Sequence, residues 1–366
     1  MPYPVWLLLG EASALSRAIG QAALPVQEAV EMDGRSLVQS LDALAGLEGN
    51  TLSETQVERC LAGQLRLPAS QAYLGQEILN LQKGIRWTED RLRAGDRQFT
   101  PWSLQLLNAQ VLKGLPWDEE VAPGDYRTIR QLQSQGGAPA DDIGVLMEHL
   151  CDWLSTDRFA PQHLEERMSF GLVRSFLAQL YLLWIRPFAD GNLRTAWLAT
   201  HQLLLEAGLS PVAVNRLVSH TGRARSAWLR ECNSAGSGNG DPIPFIAYMS
   251  RCLVEALQEL VTEIEEHQHK VLMSRQLGQL FSEDSTRNGA RRRSLVMALT
   301  EQSKPVPARG IPHLSTALAK LYARLDRKTL LRDIQYLQDK RLVQKSTEGI
   351  RVVNSQLRPF RPLVRA

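Results

Sequence analysis

Ile185-Arg186-Pro187-Phe188-Ala189-Asp190-Gly191-Asn192-Leu193-Arg194-Thr195 lies between two strongly apolar stretches, and its reading decides the fold. Upstream, residues 168–185 carry Phe170, Leu172, Val173, Phe176, Leu177, Leu180, Tyr181 and Trp184. That pattern leaves little face for water and predicts a central helix. Residues 195–207 continue the same apolar character, so the quoted stretch is a loop that opens a second buried helix. A loop of this kind presents unpaired backbone N–H groups, and the helix dipole adds positive potential there. Gly191 lets the chain turn tightly and an anion approach the backbone. Asn192 can bond the loop to itself. Arg194 supplies a planar cation suited to phosphate, and Asp190 is a candidate ligand for Mg²⁺, which binds through one or two carboxylates plus phosphate and water. Read alone, Asp190-Gly191-Asn192 is equally a turn and helix cap with Arg194 in solvent.

The longer pattern resembles the signature of the Fic (Fido) family, H-P-F-x-[DE]-G-N-G-R-x-x-R, through Pro187, Phe188, Asp190, Gly191, Asn192 and Arg194. Three other segments follow the family's order. Pro123-Gly124-Asp125-Tyr126-Arg127-Thr128 is similar to the G-x-Y-R run before the substrate-docking flap. Asn239-Gly240-Asp241-Pro242 is similar to the closing segment. Residues 43–51 (ALAGLEGNT) are similar to the inhibitory motif [ST]-x-x-x-E-[GA]-N, with Glu48 at its glutamate. The resemblance implies transfer from a nucleotide, usually AMP from ATP, to a hydroxyl on a protein target. It also implies Mg²⁺ at Asp190, phosphates on the loop amides and Arg194, and a homodimer. Arg186, Gly191, Asn192, Leu193 and Arg194 are then the candidate nucleotide contacts.

Three departures bear on chemistry. Arg186 stands at the histidine position; a guanidinium has no acceptor lone pair and stays protonated, so it cannot act as general base. Such a base contributes roughly 100- to 10,000-fold in rate. No catalytic residue is assigned, and the nearest histidines, His163 and His201, are read as structural. Leu193 replaces the motif's glycine, where a side chain crowds the nucleotide or demands another backbone angle. Trp197 replaces the second arginine, so Glu48 lacks its usual partner; Leu44 also stands where the motif has Ser or Thr. Glu48-Gly49-Asn50 reads either as a decayed inhibitory switch or as a helix end capped by Gly49. The flap, residues 126–137, has little of the apolar alternation a stable hairpin needs.

Around this loop the expected architecture is mainly α: an N-terminal helical region (1–95), a Fic-type core (96–281) and a winged helix-turn-helix (286–366). Residues 76–92 show helical spacing, and turn-rich runs at 133–142, 234–242 and 282–290 punctuate the chain. The C-terminal helices are expected at 291–299, 314–325 and 326–338, with Asp326 as N-cap of the last, followed by a hairpin over 341–353 that turns near Gly349. Relatives with this core often carry such a module. Residues 286–366 hold 18 Lys and Arg against 5 Asp and Glu, a balance of +13 within a chain of net charge +3, so the preceding residues carry −10. That asymmetry points to an anionic partner, with Arg327, Lys328 and Arg332 as candidate contacts to duplex DNA. Its rival is a basic module docked on its own acidic body or on protein.

The four cysteines are widely spaced, without metal-ligand pattern, and read as free thiols of a cytoplasmic protein. The apolar run Val5-Trp6-Leu7-Leu8-Leu9 is too short for a bilayer span, and no membrane partner is expected. The leading expectation is a catalytically impaired Fic-fold protein serving as a nucleotide-binding regulator or scaffold. An active transferase of AMP or another phosphate group with an unrecognised base, and a DNA-binding regulator, stand beside it.

Overall fold

The computed structural model describes residues 1–117, 121–128, 137–161, 163, 166–237, 240–281, 286–302 and 304–353. It forms two compact units, Met1–Ile264 and Glu265–Ala366, each with its own hydrophobic core. The first unit therefore takes in both the N-terminal helices and the central ones: residues 1–95 share one core with the helices of the central region.

That unit begins with α1 (Tyr3–Gln21), α2 (Val26–Leu47), α3 (Glu54–Leu61), α4 (Ala72–Arg93) and α5 (Pro101–Leu112). It continues through α6 (Ile143–Leu154), α7 (Arg167–Ile185), α8 (Asn192–Ala207), α9 (Pro211–Arg223), α10 (Arg225–Ser237) and α11 (Ile243–Leu280), within which the boundary between the units falls. The helical spacing of α4 is realised as Leu74, Ile78, Leu81 and Ile85, all buried. Helix α5 starts on a capping box between Thr100 and Ser103 with Pro101 behind it, which satisfies orphan amides and presets the first turn. The apolar pair flanking the loop becomes α7 and α8, packed on each other, with every residue of α8 from Arg194 to Leu204 buried. Helix α7 is long and apolar enough to cross a membrane, yet more than half of it is buried inside this unit. All four cysteines are unpaired and buried.

One close approach places the inhibitory-motif candidate. A Cβ on Gly222 of α9 would stand 2.5 Å from the Cβ of Ala43 on α2 and 3.2 Å from its Cα. Only glycine lets the two helices meet this closely, and the C-terminal end of α2 is held at the depth where Glu48 emerges.

In the second unit, α12 (Arg287–Thr300), α13 (Thr316–Tyr322) and α14 (Arg327–Asp339) precede β1 (Val343–Lys345) and β2 (Ile350–Val352). The strands pair antiparallel with Val343 opposite Val352, and Gly349 turns between them at φ +147°. Asp326 stands at the N-cap of α14 as expected, though without a side-chain capping bond. Leu330, Ile334 and Leu337 face inward. The helix expected at 314–325 is shorter: it starts after Ser315, whose side chain accepts from the Leu318 N–H, and a 3₁₀ segment, Ala308–His313, holding Pro312 precedes it. Asp333 is buried on the inner face of α14: its carboxylate accepts from Arg291 Nε at 2.7 Å, Arg292 Nε at 2.9 Å and the Tyr322 hydroxyl at 2.9 Å.

Candidate nucleotide-binding site

Helix α7 ends at Ile185, and Arg186 caps it in the left-handed conformation, φ 48°. That conformation is uncommon for a residue with a side chain and is held from outside. Arg127 donates from Nε to the Arg186 carbonyl at 2.6 Å, and from Nη2 to the carbonyls of Ile185 and Ala138. Its backbone N–H reaches the Pro187 carbonyl at 2.9 Å, and Tyr126 forms a β-bridge with Phe188. Burial, then the neighbouring Arg186 cation, pulls the Arg127 guanidinium below its ordinary pKa. The G-x-Y-R segment is thus a clamp on the loop. The flap residues beyond it, 129–136, lie outside the described residues.

The loop then closes on itself as its composition predicted. Asn192 accepts from the Phe188 N–H at 3.0 Å and donates back to the Phe188 carbonyl at 2.7 Å. Gly191, at φ +73°, enters α8, whose N-terminus carries no side-chain cap. The first amides of α8 are therefore directed at whatever lies before the loop, as an anion site requires. Asn108 of α5 fixes the turn by donating to the Asp190 carbonyl at 2.9 Å while accepting from Gly124 N–H at 2.9 Å.

Of the two consequences expected at Leu193, the unusual backbone angle is not found. Leu193 is an ordinary first-turn helical residue packed against the core, so its substitution for glycine demands no unusual backbone angle. Trp197 is wholly buried and lies against Trp228, ring centroids 5.9 Å apart. Where the motif has an arginine, this chain has core. His201 is buried 3.9 Å from Glu89, within the helix packing.

The largest correction concerns Arg194. The sequence leaves it free for phosphate and leaves Glu48 without a partner. In the structure Arg194 is 5% exposed and Glu48 pairs with its Nε. Its other nitrogens meet Glu77 Oε1 at 2.8 Å and Asp190 Oδ1 at 3.3 Å. Glu77 is further fixed by Asn50, whose Nδ2 donates to Oε2 at 2.7 Å. The helix-end reading of residues 48–50 holds, since α2 ends at Leu47 and Gly49 follows at φ +98°, and the same helix end brings Glu48 to the Arg194 guanidinium. Sequence reading missed Glu77 and Asn108, and named Arg127 only as part of the G-x-Y-R run, without its role on the loop. For Glu77 the signal was a carboxylate directly beside Ile78 on the inward face of α4.

Three carboxylates around one buried guanidinium set the electrostatics. Burial pushes the Glu48 carboxyl up to about 7, and the charges of Asp190 and Glu77 push the same way against Arg194. Mg²⁺ fits one position. Asp190 gives Oδ1 to Gly191 N–H and Arg194, but its side chain is half exposed, leaving Oδ2 open for a hydrated ion. Among the described residues no group of three or more His, Cys, Asp or Glu is placed to hold a metal without such help.

The loop thus combines an uncapped helix N-terminus, a left-handed glycine, two arginines and one half-exposed aspartate on a helical core. Residues 98–204 match the profile of the Fic/DOC family, and the chain carries a Fic/DOC domain there. Among curated proteins it is similar to the protein adenylyltransferase Fic of Nematostella vectensis, 23% identical over 64% of this chain and 50% of that protein. The corresponding protein of Aedes aegypti is 25% identical over 64% of this chain and 44% of that protein. The chain spans half or less of the length of these relatives. Among solved structures, a Fic family protein from Desulfovibrio desulfuricans aligns over 98% of both chains with a TM-score of 0.57 at 18% identity. Fic-1 from C. elegans aligns over 71% of this chain and 73% of that one, TM-score 0.58, at 18% identity.

Proposed function

We propose that this protein is a nucleotide-responsive regulator or scaffold on the Fic fold, and that ordinary AMP transfer to a protein hydroxyl is lost. The observation that carries the reading is Arg186. It occupies the position of the family's base, at the end of α7, beside a loop that otherwise keeps its anion-binding form. Guanidinium cannot accept the proton of an attacking hydroxyl, so binding and transfer are separated here. Gly191, Asn192, Leu193 and Arg194 would meet the phosphates, with Arg186 as a second cation. Mg²⁺, when bound at Asp190, would supply charge neutralisation between the phosphates. Arg194 becomes available only when Glu48 releases it, so the site is read as held shut.

The test is titration of ATP with Mg²⁺ into wild type and Arg186→His, with transfer of labelled AMP followed in the same samples. The reading expects binding in both and transfer only in the histidine variant. Transfer by wild type at a rate like that of the variant sinks it.

A second role is supported by the C-terminal unit, which we read as a winged helix. Arg327, Lys328 and Arg332 are exposed on α14 while Leu330, Ile334 and Leu337 hold it to the core. Three basic side chains on the exposed face of a helix whose inner face is fixed suit the phosphates of duplex DNA. Loss of DNA retention at low salt on mutating all three supports this role; unchanged retention rejects these three as its contacts, and a wild type without retention rejects the role.

A further inference from the structure

A cavity of about 350 Å³ opens at the far end of α8 from the loop, lined by Arg17, Arg97, Arg167, Met168, Leu205 and Glu206 among others. Arg17 comes from α1, Arg97 from just beyond α4, and Arg167 is the first residue of α7. All three are exposed at its rim. Among the described residues none of the three guanidiniums has a carboxylate partner or a side-chain hydrogen bond. The carboxylate in the lining is already committed: Glu206 pairs with Arg174 at 2.9 Å and accepts from Gln202 at 2.9 Å. The cavity therefore presents three cations without an internal counter-charge.

Two helix ends meet at the cavity. Arg167 and Met168 belong to the first turn of α7, where Glu166 makes no side-chain cap. At the opposing end of α8, Gly208 N–H bonds the Leu205 carbonyl at 3.0 Å and Leu209 N–H bonds the Leu204 carbonyl at 3.2 Å. Leu92, Met168 and Leu205 give the remaining wall an apolar character.

We propose that this cavity binds a small organic molecule bearing a phosphate group, with the phosphate among Arg17, Arg97 and Arg167 and the organic part against Leu92, Met168 and Leu205. Guanidinium forks match the paired oxygens of a phosphate, and a dianion answers three cations better than a single carboxylate does. The site is separate from the loop. Helix α8 has 16 residues, which at about 1.5 Å per residue puts its two ends roughly 20 Å apart.

Phenyl phosphate is the probe, titrated calorimetrically into the full chain, with benzoate and inorganic phosphate alongside. Phenyl phosphate is expected to bind most tightly. The triple variant Arg17→Gln, Arg97→Gln, Arg167→Gln should lose at least about tenfold in affinity with an unchanged melting temperature, since all three side chains are exposed. Arg309→Gln, in the other unit, should bind as wild type. No heat up to about 10 mM phenyl phosphate, or equal binding by the triple variant, overturns the site. Benzoate binding as well as phenyl phosphate overturns the phosphate preference. Inorganic phosphate binding as well overturns the apolar wall's part.

Discussion

Glu48 pairs with Arg194, the arginine the nucleotide loop would use for phosphate, and not with a residue at position 197. The two other carboxylates on that guanidinium differ from Glu48 in how they are held. Asp190 belongs to the loop itself, and Glu77 is tied down by Asn50 at 2.7 Å. Glu48 alone sits at a helix end followed by a glycine at φ +98°, so it is the member that can leave without dismantling the core. An incoming phosphate must displace it or meet three negative charges around one positive one. Glu48→Gln should therefore raise affinity for ATP with Mg²⁺ by roughly tenfold or more, the scale of one charge-assisted contact. Calorimetric titration checks this, and equal affinity in both proteins means Glu48 is not the gate.

The same carboxyl gives the site a pH dependence. It titrates at about 7, above its ordinary value of 4.5, first because burial disfavours its charged form. The folded protein then holds this proton more tightly than the unfolded chain. Its contribution to stability is fully present below the unfolded value and is lost as pH rises through the folded one. The window is pH 4.5 to 7. Across the upper part of it a neutral Glu48 holds Arg194 less firmly, so ATP affinity should increase as pH falls from about 8 to about 6. Glu48→Gln should flatten that slope. A wild-type slope that persists in the variant assigns the effect to another group.

Much of this was legible in the chain. The α7–loop–α8 unit follows from Phe176, Leu180 and Trp184 before the loop and the apolar run after it. Asn192 bonding Phe188 on both sides is what a D-G-N turn between buried helices demands. The order of the C-terminal helices and hairpin was likewise readable from periodicity and from Gly349. What could not be read was partner choice across long separations. Arg194 and Glu77 are 117 residues apart, Arg127 and Arg186 are 59 apart, and nothing local signals either pair. Trp197 removed the expected partner of Glu48, but only the packing of α2 on α9 shows that the helix end reaches Arg194 instead.

Arg127 holds the left-handed turn at Arg186 by filling three carbonyls with one guanidinium. Arg127→Gln leaves at least one of those buried acceptors unmet, at a cost of about 1–3 kcal/mol. It should lower the midpoint of urea unfolding and expose the loop to proteolysis near Pro187. Arg127→Lys, which reaches fewer carbonyls, should fall between wild type and glutamine. If lysine and glutamine variants both match wild type, the clamp is not what fixes the turn.

In the C-terminal unit Asp333 organises Arg291, Arg292 and Tyr322 beneath α14. Burial alone would raise its pKa, but hydrogen bonds from Arg291, Arg292 and Tyr322 outweigh it and hold the carboxyl below its ordinary value. A depressed value means its stabilisation is present above the unfolded pKa and is lost as pH falls through the folded one. Asp333→Asn leaves a buried guanidinium poorly compensated and should cost about 3–5 kcal/mol, read as earlier thermal unfolding of this unit in the full chain. An unfolding curve unchanged by the substitution means the cluster is not what secures α14.

The exposed side of the same helix gives a separate readout. Arg327, Lys328 and Arg332 project from α14 without drawing on its core contacts, so their removal tests binding and not folding. Each phosphate contact releases about one counterion, and the logarithm of the binding constant falls with the logarithm of salt at a slope of about 0.9 per contact. Arg327→Gln, Lys328→Gln and Arg332→Gln together should reduce that slope by between about 2 and 3 and weaken duplex binding similarly for unrelated sequences. Melting temperature should stay within about 2 °C of wild type. A variant that keeps the wild-type salt slope places the DNA contacts elsewhere in the unit. A wild type that shows no retention on duplex DNA at low salt removes the DNA role altogether and leaves the basic face to a protein partner.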